Sequence, residues 1–217
     1  MTSRSKRRIT VVLADDEPVV RAGLCTMLSQ SEEIEVIGDA QDGFEAQRLV
    51  TELRPQILLL DLKMPGPRPA ELEGWVRENH PETVTLVLTA HDRDAYLAGM
   101  MDAGAAGYLS KNASADRLID AIRRAAQGAI VFDEEQISRA ANWKKNISQK
   151  WESLSEREQQ VLRLAGCGEH NKTIAASLCI TPKAVEKHLT SVYRKLGLNS
   201  RVEAIIWWEK NGGDFPT

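Results

Sequence analysis

Five short apolar runs, each followed by a longer amphipathic stretch, restrict the fold of this sequence more than any other feature. The runs are rich in leucine and β-branched residues and fall at residues 9–13, 34–37, 57–60, 84–88 and, more weakly, 107–109. Short runs that are apolar on nearly every residue are typical of strands buried on both faces of a parallel sheet. The stretches between them repeat apolar residues at helical spacing, as in Leu118, Ile119 and Ile122. This alternation predicts a doubly wound α/β domain with a five-stranded parallel sheet over residues 9–127, preceded by a tail at residues 1–8.

The strand pattern ends after residue 127, and a second kind of sequence begins. Residues 128–150 are polar with isolated apolar positions, which predicts a partly helical linker. Residues 151–217 carry helix signals alone, among them a capping-box pattern at Ser155 and Glu158 and the helix start Thr181-Pro182. They predict a small all-α domain of four short helices, in which Asn171 would cap the second.

Composition excludes several classes of protein. Hydrophobic residues are 42% and charged residues 27%, which is ordinary for a folded soluble domain. No apolar run approaches the roughly 18 residues that would span a bilayer, so we expect no membrane segment and a cytoplasmic location. The cysteines are too few and too scattered for a disulfide framework or a zinc site: Cys25, Cys167 and Cys179.

Charge also separates the two halves of the chain. From residue 148 onward there are ten basic and eight acidic residues, although the whole chain carries a net charge of -3. The first half is therefore acidic and the second mildly basic, which indicates two domains with different partners.

Polar residues follow four of the five predicted strands, at the edge of the sheet where ligands bind in such folds. Asp15 and Asp16 follow the first strand, Asp61 the third, Thr89 the fourth and Lys111 the fifth. The first, third and fourth strands should be neighbours, with the fifth beyond the fourth, so the three carboxylates would share one pocket. Crowded anions share protons or bind a cation, and an oxygen-seeking ion such as Mg²⁺ fits.

A carboxylate held beside Mg²⁺ can attack a phosphoryl group. The metal ion and Lys111 would neutralise the oxygens of the transferring group, and Thr89 could donate a hydrogen bond to one of them. The sequence offers no histidine, cysteine or serine arranged as an alternative nucleophile with a base.

These residues belong to motifs that resemble the receiver domain of bacterial two-component response regulators, namely Asp15-Asp16, Asp61-Leu-Lys-Met-Pro65, Thr89-Ala90 and Tyr108-x-x-Lys111. The resemblance covers about residues 9–127 and implies a flavodoxin-like or CheY-like sheet. It implies that Asp61 accepts a phosphoryl group from a sensor histidine kinase, and that the metal ligands are Asp15, Asp16, Asp61 and the backbone carbonyl of Lys63.

The same resemblance implies a switch. Thr89 and Tyr108 would move inward when Asp61 is phosphorylated. The side chains of Lys63 and His91 would lie beside the phosphoryl group and tune its hydrolysis.

In the second domain, two helices joined by the short connection Cys179-Ile180 have the geometry of a helix-turn-helix. The second helix, at about residues 181–196, repeats apolar residues on one face and presents polar and basic residues on the other. Its N-terminal half would read base edges, whereas Lys172, Lys183 and Arg194 would contact phosphates.

This domain resembles the LuxR-type DNA-binding domain over about residues 153–207, in motifs such as Leu154-Ser-Glu-Arg-Glu158, Asn171-Lys-x-Ile-Ala175 and Lys195-Leu-Gly-Leu198. The residues expected at the DNA interface are Asn171, Lys172, Thr181, Lys183, Glu186, Lys187, His188, Thr190, Ser191 and Arg194. Glu186 and Ala184 depart from the residues common in the family, so the family's usual base contacts do not transfer to this chain.

A receiver followed by this domain resembles a transcription regulator of the NarL/FixJ type. The expected partners are a sensor histidine kinase and double-stranded DNA, with a homodimer forming on phosphorylation. The chain would not be an enzyme, apart from Mg²⁺-dependent self-phosphorylation and autodephosphorylation.

Three other functions compete with this interpretation. An aspartate-nucleophile phosphatase would share the constellation, but it requires a second acid where Lys63 stands, and a cap insertion. A regulator that is never phosphorylated, and instead binds a small molecule or a protein at the same face, has no need of the acid cluster. A flavin-binding domain would need a phosphate loop after the first strand, where Asp15 and Asp16 would repel phosphate.

Overall fold

The structure, a computed structural model, describes residues 8–211, so the predicted tail at residues 1–8 lies outside the described residues apart from Arg8. The chain forms two compact units, Met1–Ala141 and Asn142–Thr217. The first unit contains β1 (Ile9–Ala14), α1 (Pro18–Ser29), β2 (Ile34–Ala40), α2 (Gly43–Leu53), β3 (Ile57–Leu60), α3 (Pro69–Asn79), β4 (Val84–Thr89), α4 (Asp94–Ala103), β5 (Gly107–Ser110) and α5 (Ala115–Ala126). One further helix, α6 (Glu134–Glu152), begins in the first unit and ends in the second. The second unit continues with α7 (Glu156–Gly166), α8 (Asn171–Ser177), α9 (Pro182–Leu196) and α10 (Arg201–Asn211).

The first unit is built on a five-stranded sheet in the order β2-β1-β3-β4-β5, in which every neighbouring pair is parallel. This confirms the predicted doubly wound fold and the predicted neighbours. All four residues of β3 are fully buried, as expected for a central strand covered on both faces. The carboxyl ends of β1, β3, β4 and β5 therefore meet at one edge of the sheet.

The helices around this edge begin at residues suited to a helix start. Asp42 caps α2 by accepting from the backbone N–H of Glu45 at 2.8 Å, and Ser114 caps α5 by accepting from that of Arg117 at 3.3 Å. Pro18 lies in the first turn of α1, where its missing N–H costs no hydrogen bond.

The second unit packs its helices around two apolar clusters. One joins Ile147 and Trp151 of α6 to α7, α9 and α10, and the other joins α7, α8 and α9 through residues such as Ile174, Val185 and Leu189. Helices α7 to α10 confirm the predicted small all-α domain.

The predicted helix starts in this unit have different outcomes. Ser155 and Glu158 form the predicted capping box, and Thr181 caps α9 by accepting from the N–H of Ala184. The prediction that Asn171 caps α8 was wrong: His170 occupies the cap position and Asn171 is the first helical residue.

Residues 128–141 follow α5 within the first unit. Val131 donates its N–H to the carbonyl of Ala106, next to β5, at 2.7 Å. Among the described residues, no helix is both long enough and apolar enough to cross a lipid bilayer.

Candidate functional site

Asp15 is fixed at the end of β1 by four interactions. Its N–H donates to the carbonyl of Ala40 at 3.0 Å, and its Oδ1 accepts from the N–H of Glu17 at 2.9 Å. Its carbonyl accepts from Arg21 of α1 at 2.6 Å, and its Oδ2 lies 2.7 Å from Nζ of Lys111. The carboxylate is 1% exposed, so its position is set before any ligand binds.

Asp61 follows β3 and is 4% exposed. Its N–H donates to the carbonyl of Ala14 at 2.9 Å, and its Oδ2 lies 3.2 Å from Nζ of Lys111. Its Oδ1 is buried and has no hydrogen-bond partner within the described part of the chain. A buried carboxylate oxygen without a donor requires a counter-charge, so Oδ1 is the atom left to meet a cation or an electrophile.

Asp15, Asp16 and Asp61 form one cluster, in which one carboxylate oxygen from each residue lies within 4.8 Å of the others. Asp16 is exposed, whereas the other two side chains are buried. The donors are all carboxylate oxygens, which are the ligands that hard divalent cations prefer. The cluster and the orphaned Oδ1 therefore fit a divalent ion, as the sequence predicted.

Lys111 follows β5 and compensates this cluster. Its ammonium lies within 3.2 Å of carboxylate oxygens of Asp15, Glu17 and Asp61. Burial lowers the pKa of Lys111, but its hydrogen bonds to Asp15 and Glu17 and the charge of Asp61 outweigh burial and raise the pKa to about 12. Lys111 is therefore a permanent cation at this edge of the sheet.

Sequence reasoning missed two residues of this site, Glu17 and Arg21. Glu17 directly follows the two predicted ligands, and Arg21 lies one helical turn after it. Their closeness in sequence to Asp15 and Asp16 was the signal that could have identified them. Their roles depend on the direction in which α1 leaves β1, which the residue pattern does not specify.

Thr89 and Tyr108, the predicted switch residues, are linked through the residue after Ala90. Oγ1 of Thr89 accepts from the N–H of His91 at 3.1 Å, and the hydroxyl of Tyr108 donates to the carbonyl of His91 at 2.7 Å. Thr89 is 1% and Tyr108 3% exposed. Burial, with the charge of Asp92, raises the pKa of Tyr108 far above its ordinary value, so its hydroxyl stays protonated and can donate.

The loop after β3, which contains Lys63, rests against the start of α2. The N–H of Gly43 donates to the carbonyl of Pro65 at 2.8 Å. Gly66 has φ +119°, and a Cβ there would lie 3.0 Å from the nitrogen of Gly43. Two glycines thus allow the backbones to approach closely, which holds this loop beside the acid cluster. The side chain of Lys63 is exposed.

Helices α8 and α9 of the second unit form the predicted helix-turn-helix. Between them Cys179 adopts φ +53°, the left-handed conformation that turns the chain sharply. Val185 and Leu189 are buried, whereas the opposite face of α9 is open. The exposed residues of the predicted interface are Lys172, Thr181, Lys183, Glu186, Lys187, Thr190 and Arg194.

The other three predicted interface residues are half-buried: Asn171, His188 and Ser191. Oδ1 of Asn171 accepts from Arg201 at 2.9 Å. Ser191 hydrogen-bonds Glu158 of α7. These two polar side chains thus have partners inside the unit and differ in this from the exposed lysines of α9.

The sequence matches two family models, one for the response regulator receiver domain over residues 11–123 and one for bacterial regulatory proteins of the luxR family over residues 152–208. The chain is 38% identical over 205 residues to the oxygen regulatory protein NreC of Staphylococcus epidermidis, covering 90% of this chain and 94% of NreC. It is 33% identical over 199 residues to the response regulator protein VraR of Staphylococcus aureus, covering 92% and 95%. A solved structure of two RcsB dimers bound to two parallel DNAs is similar with a TM-score of 0.65 and 25% identity, over 94% of this chain and 99% of the RcsB chain.

Proposed function

Because this chain belongs to the NarL/FixJ-type response regulators, DNA-binding transcription regulators with a receiver and a LuxR-type domain, we propose that phosphorylation of Asp61 controls its activity on DNA. The phosphoryl donor in the cell would be a sensor histidine kinase. The proposal places the chain in the cytoplasm, where its DNA lies.

One observation carries the choice of Asp61. Lys111 holds Oδ2, while Oδ1 is buried without a hydrogen-bond partner in the described residues. Oδ1 would attack the phosphorus as a carboxylate and form an O–P bond. The bond between phosphorus and the donor breaks at the same time, and the leaving group takes the bonding electrons.

The residues present would hold Mg²⁺ through Asp15, Asp16, Asp61 and the backbone carbonyl of Lys63. When bound, the ion neutralises charge on the transferring group. Lys111 contributes fixed positive charge next to Oδ2 of Asp61, and the hydroxyl of Thr89 can donate to a phosphoryl oxygen once it turns toward Asp61.

We also propose that this chemistry is confined to the chain's own Asp61, so that the protein is a phosphoacceptor and not an enzyme with an external substrate. The side chain two residues after Asp61 is Lys63, and it is exposed. A phosphatase of the competing class needs an acid at that place to protonate its leaving group.

The output would be binding to double-stranded DNA through α9. RcsB, which shares this architecture, binds DNA as dimers. We propose that phosphorylation favours a homodimer here too, because two helix-turn-helix units on a two-fold site bind more tightly than one.

The decisive experiment is labelling of the purified chain with acetyl phosphate and MgCl₂, resolved on a gel that retards phosphoproteins. We expect a single retarded species in the wild type and none in Asp61→Asn. Asp116→Asn, which changes an exposed carboxylate on α5, is the matched control and should be labelled normally.

Two results would refute the proposal. Labelling that survives in Asp61→Asn would place the acceptor elsewhere. Continuous release of product from a phosphate ester by the wild type, lost in Asp61→Asn, would make the chain a phosphatase.

A further inference from the structure

Residues 128–141, here called the strap, form part of the first unit and lie beside β5, an edge strand of the sheet. The N–H of Val131 donates to the carbonyl of Ala106 at 2.7 Å, and Nε2 of Gln136 donates to that of Tyr108 at 2.8 Å. A Cβ on Gly107 would lie 2.2 Å from Cγ2 of Val131, so a glycine is required for the strap to pack this closely. The strap covers polar groups of an edge strand that contains the switch residue Tyr108.

The strap enters α6 through a reciprocal pair of hydrogen bonds. Oδ1 of Asp133 accepts from the N–H of Gln136 at 2.8 Å, and Oε1 of Gln136 accepts from the N–H of Asp133 at 3.1 Å. These bonds fix the start of the helix at Glu134. Arg139 lies three residues after Gln136, on the same side of the helix.

Arg139 binds the carboxylates of Asp92 and Asp94, which follow β4. Its Nη1 and Nη2 donate to the two oxygens of Asp92 at 2.9 and 2.8 Å, and its Nε donates to Oδ1 of Asp94 at 2.8 Å. Hydrogen bonding to Arg139 lowers the pKa of Asp92, and both carboxylates raise that of Arg139. A bidentate pair with three directed donors fixes position more strictly than one lysine would.

Asp92 lies in the switch loop, defined here as residues 90–93, and Asp94 is the first residue of α4. The same loop contains His91, whose backbone bonds both Thr89 and Tyr108. The strap therefore holds the switch at two points, through Arg139 on the loop and through Gln136 on Tyr108. In this arrangement Asp61 is a carboxylate paired with Lys111.

We propose that Arg139 is a positioning residue for the phosphorylation switch, so that the start of α6 senses whether Asp61 is phosphorylated. The inference rests on the proposed function, in which Thr89 turns toward a phosphoryl group on Asp61. This rotation of Thr89 breaks the hydrogen bond from the N–H of His91 to Thr89 and displaces the switch loop, to which Arg139 is bound through Asp92. Because coupling between two sites is reciprocal, phosphorylation loosens the start of α6, and loss of Arg139 favours phosphorylation.

The first test compares steady-state labelling by acetyl phosphate and MgCl₂ in the wild type, Arg139→Gln and Arg139→Lys. We expect the ratio of phosphorylated to unphosphorylated chain to rise about threefold in Arg139→Gln, a change typical of a partly exposed ion pair. Arg139→Lys should restore part of the wild-type ratio. The double variant Arg139→Gln/Asp92→Asn should behave like Arg139→Gln, because Asp92 has already lost its bonds to Arg139 in the single variant.

Arg117→Gln is the matched control. Arg117 pairs with Asp133 of the strap at 3.5 Å and, within the described part of the chain, has no hydrogen bond or ion pair to the switch loop, so this variant should label like the wild type. Equal ratios in wild type and Arg139→Gln, or equal increases in Arg139→Gln and Arg117→Gln, would overturn the inference and leave the proposed function intact.

The second test measures amide hydrogen exchange of residues 134–141 in the wild type, with and without beryllium fluoride as a phosphoryl mimic. Exchange should become at least about threefold faster with the mimic, and Arg139→Gln should show fast exchange in both conditions. Unchanged exchange in a wild type that is labelled normally would refute the coupling. A wild type that is not labelled would refute the proposed function and this inference with it.

Discussion

Nζ of Lys111 lies 3.2 Å from Oδ2 of Asp61, so a residue after the edge strand β5 supplies counter-charge to a residue after the central strand β3. Asp15, after β1, meets the same ammonium at 2.7 Å. Three strands that are separate in sequence thus contribute to one charge-compensated pocket. The parallel arrangement brings them together because it aligns their carboxyl ends.

We expect Lys111→Met to destabilise the chain by about 2 kcal/mol, because it leaves two buried carboxylates without their cation. Added MgCl₂ should recover more stability in the variant than in the wild type, since a divalent ion can replace the lost charge. The free energy of urea unfolding, measured with and without MgCl₂, checks both points. Lys150→Met, an exposed change on α6, is the control and should show neither effect.

The cost of Lys111→Met should not vary across neutral pH. The pKa of Lys111 is raised to about 12 in the folded chain, so its stabilising contribution is complete below the ordinary value of 10.5 and is lost as the pH rises through about 12. A destabilisation that disappeared between about pH 6 and about pH 8 would contradict this account of Lys111.

The sequence was sufficient to predict that the first, third, fourth and fifth strands lie side by side and that Asp15, Asp16 and Asp61 cluster at their ends. Apolar runs locate the strands, and the geometry of parallel sheets then places whatever follows them at one edge. It was also sufficient for the capping box at Ser155, because that interaction spans only three residues.

The contacts of the strap were not predictable in the same way. Arg139 and Asp92 are 47 residues apart in sequence. Considered alone, each would be predicted to be a solvent-exposed surface charge. Their pairing depends on how residues 128–133 cross the edge of β5, and no periodic pattern records that path. Asn171 failed as a cap for a related reason: its side chain accepts from the distant Arg201 instead of from its own helix.

Glu73 on α3 should make the first unit less stable as the pH rises. It is 2% exposed, and burial raises its pKa to about 7 from 4.5, against the opposing effects of Thr85 and Arg77. Since the folded chain binds this proton more tightly, the stabilising effect is complete below pH 4.5 and is lost as the pH rises through about 7. A shift of the pKa from 4.5 to about 7 corresponds to a loss of the order of 3 kcal/mol.

Amide hydrogen exchange of the buried strand β4 at about pH 5 and about pH 8, corrected for intrinsic exchange, checks this prediction. Glu73→Gln should remove the pH dependence, whereas Glu78→Gln, an exposed change on the same helix, should keep it. A Glu73→Gln chain with the wild-type pH dependence would show that another group titrates.

Glu158 should stabilise the second unit at neutral pH and stop doing so in acid. Burial raises its pKa, but Lys195 at 2.7 Å, Ser191 and Ser155 outweigh burial and lower the pKa to about 2 from 4.5. The contribution is therefore present above pH 4.5 and is lost as the pH falls toward about 2. Because Lys195 is partly exposed, we expect Glu158→Gln to cost about 1 kcal/mol at pH 7.

Thermal unfolding of the full chain, with amide exchange of α7 and α9 as the local measurement, checks the prediction for Glu158. The difference between wild type and Glu158→Gln should narrow below about pH 4. Glu156→Gln, an exposed change two residues earlier on α7, should cost less. A stability difference between wild type and Glu158→Gln that widened in acid would mean that the ionised carboxylate destabilises the fold.

DNA binding should depend on Lys183 and Lys187 through charge. The two residues are four apart on α9, so they share one exposed face, opposite the buried Val185 and Leu189. If each neutralises one phosphate, removing both in Lys183→Ala/Lys187→Ala lowers the slope of log affinity against log salt by about 1.8 and weakens binding about tenfold or more in low salt. Gel mobility shifts with selected duplex DNA over a range of salt concentrations measure both quantities.

Lys150→Ala, which removes an exposed lysine at the end of α6, should leave the slope unchanged. Equal slopes for the double variant and the wild type would exclude this face of α9 from the interface, because a lysine that does not contact a phosphate releases no counterions from the DNA.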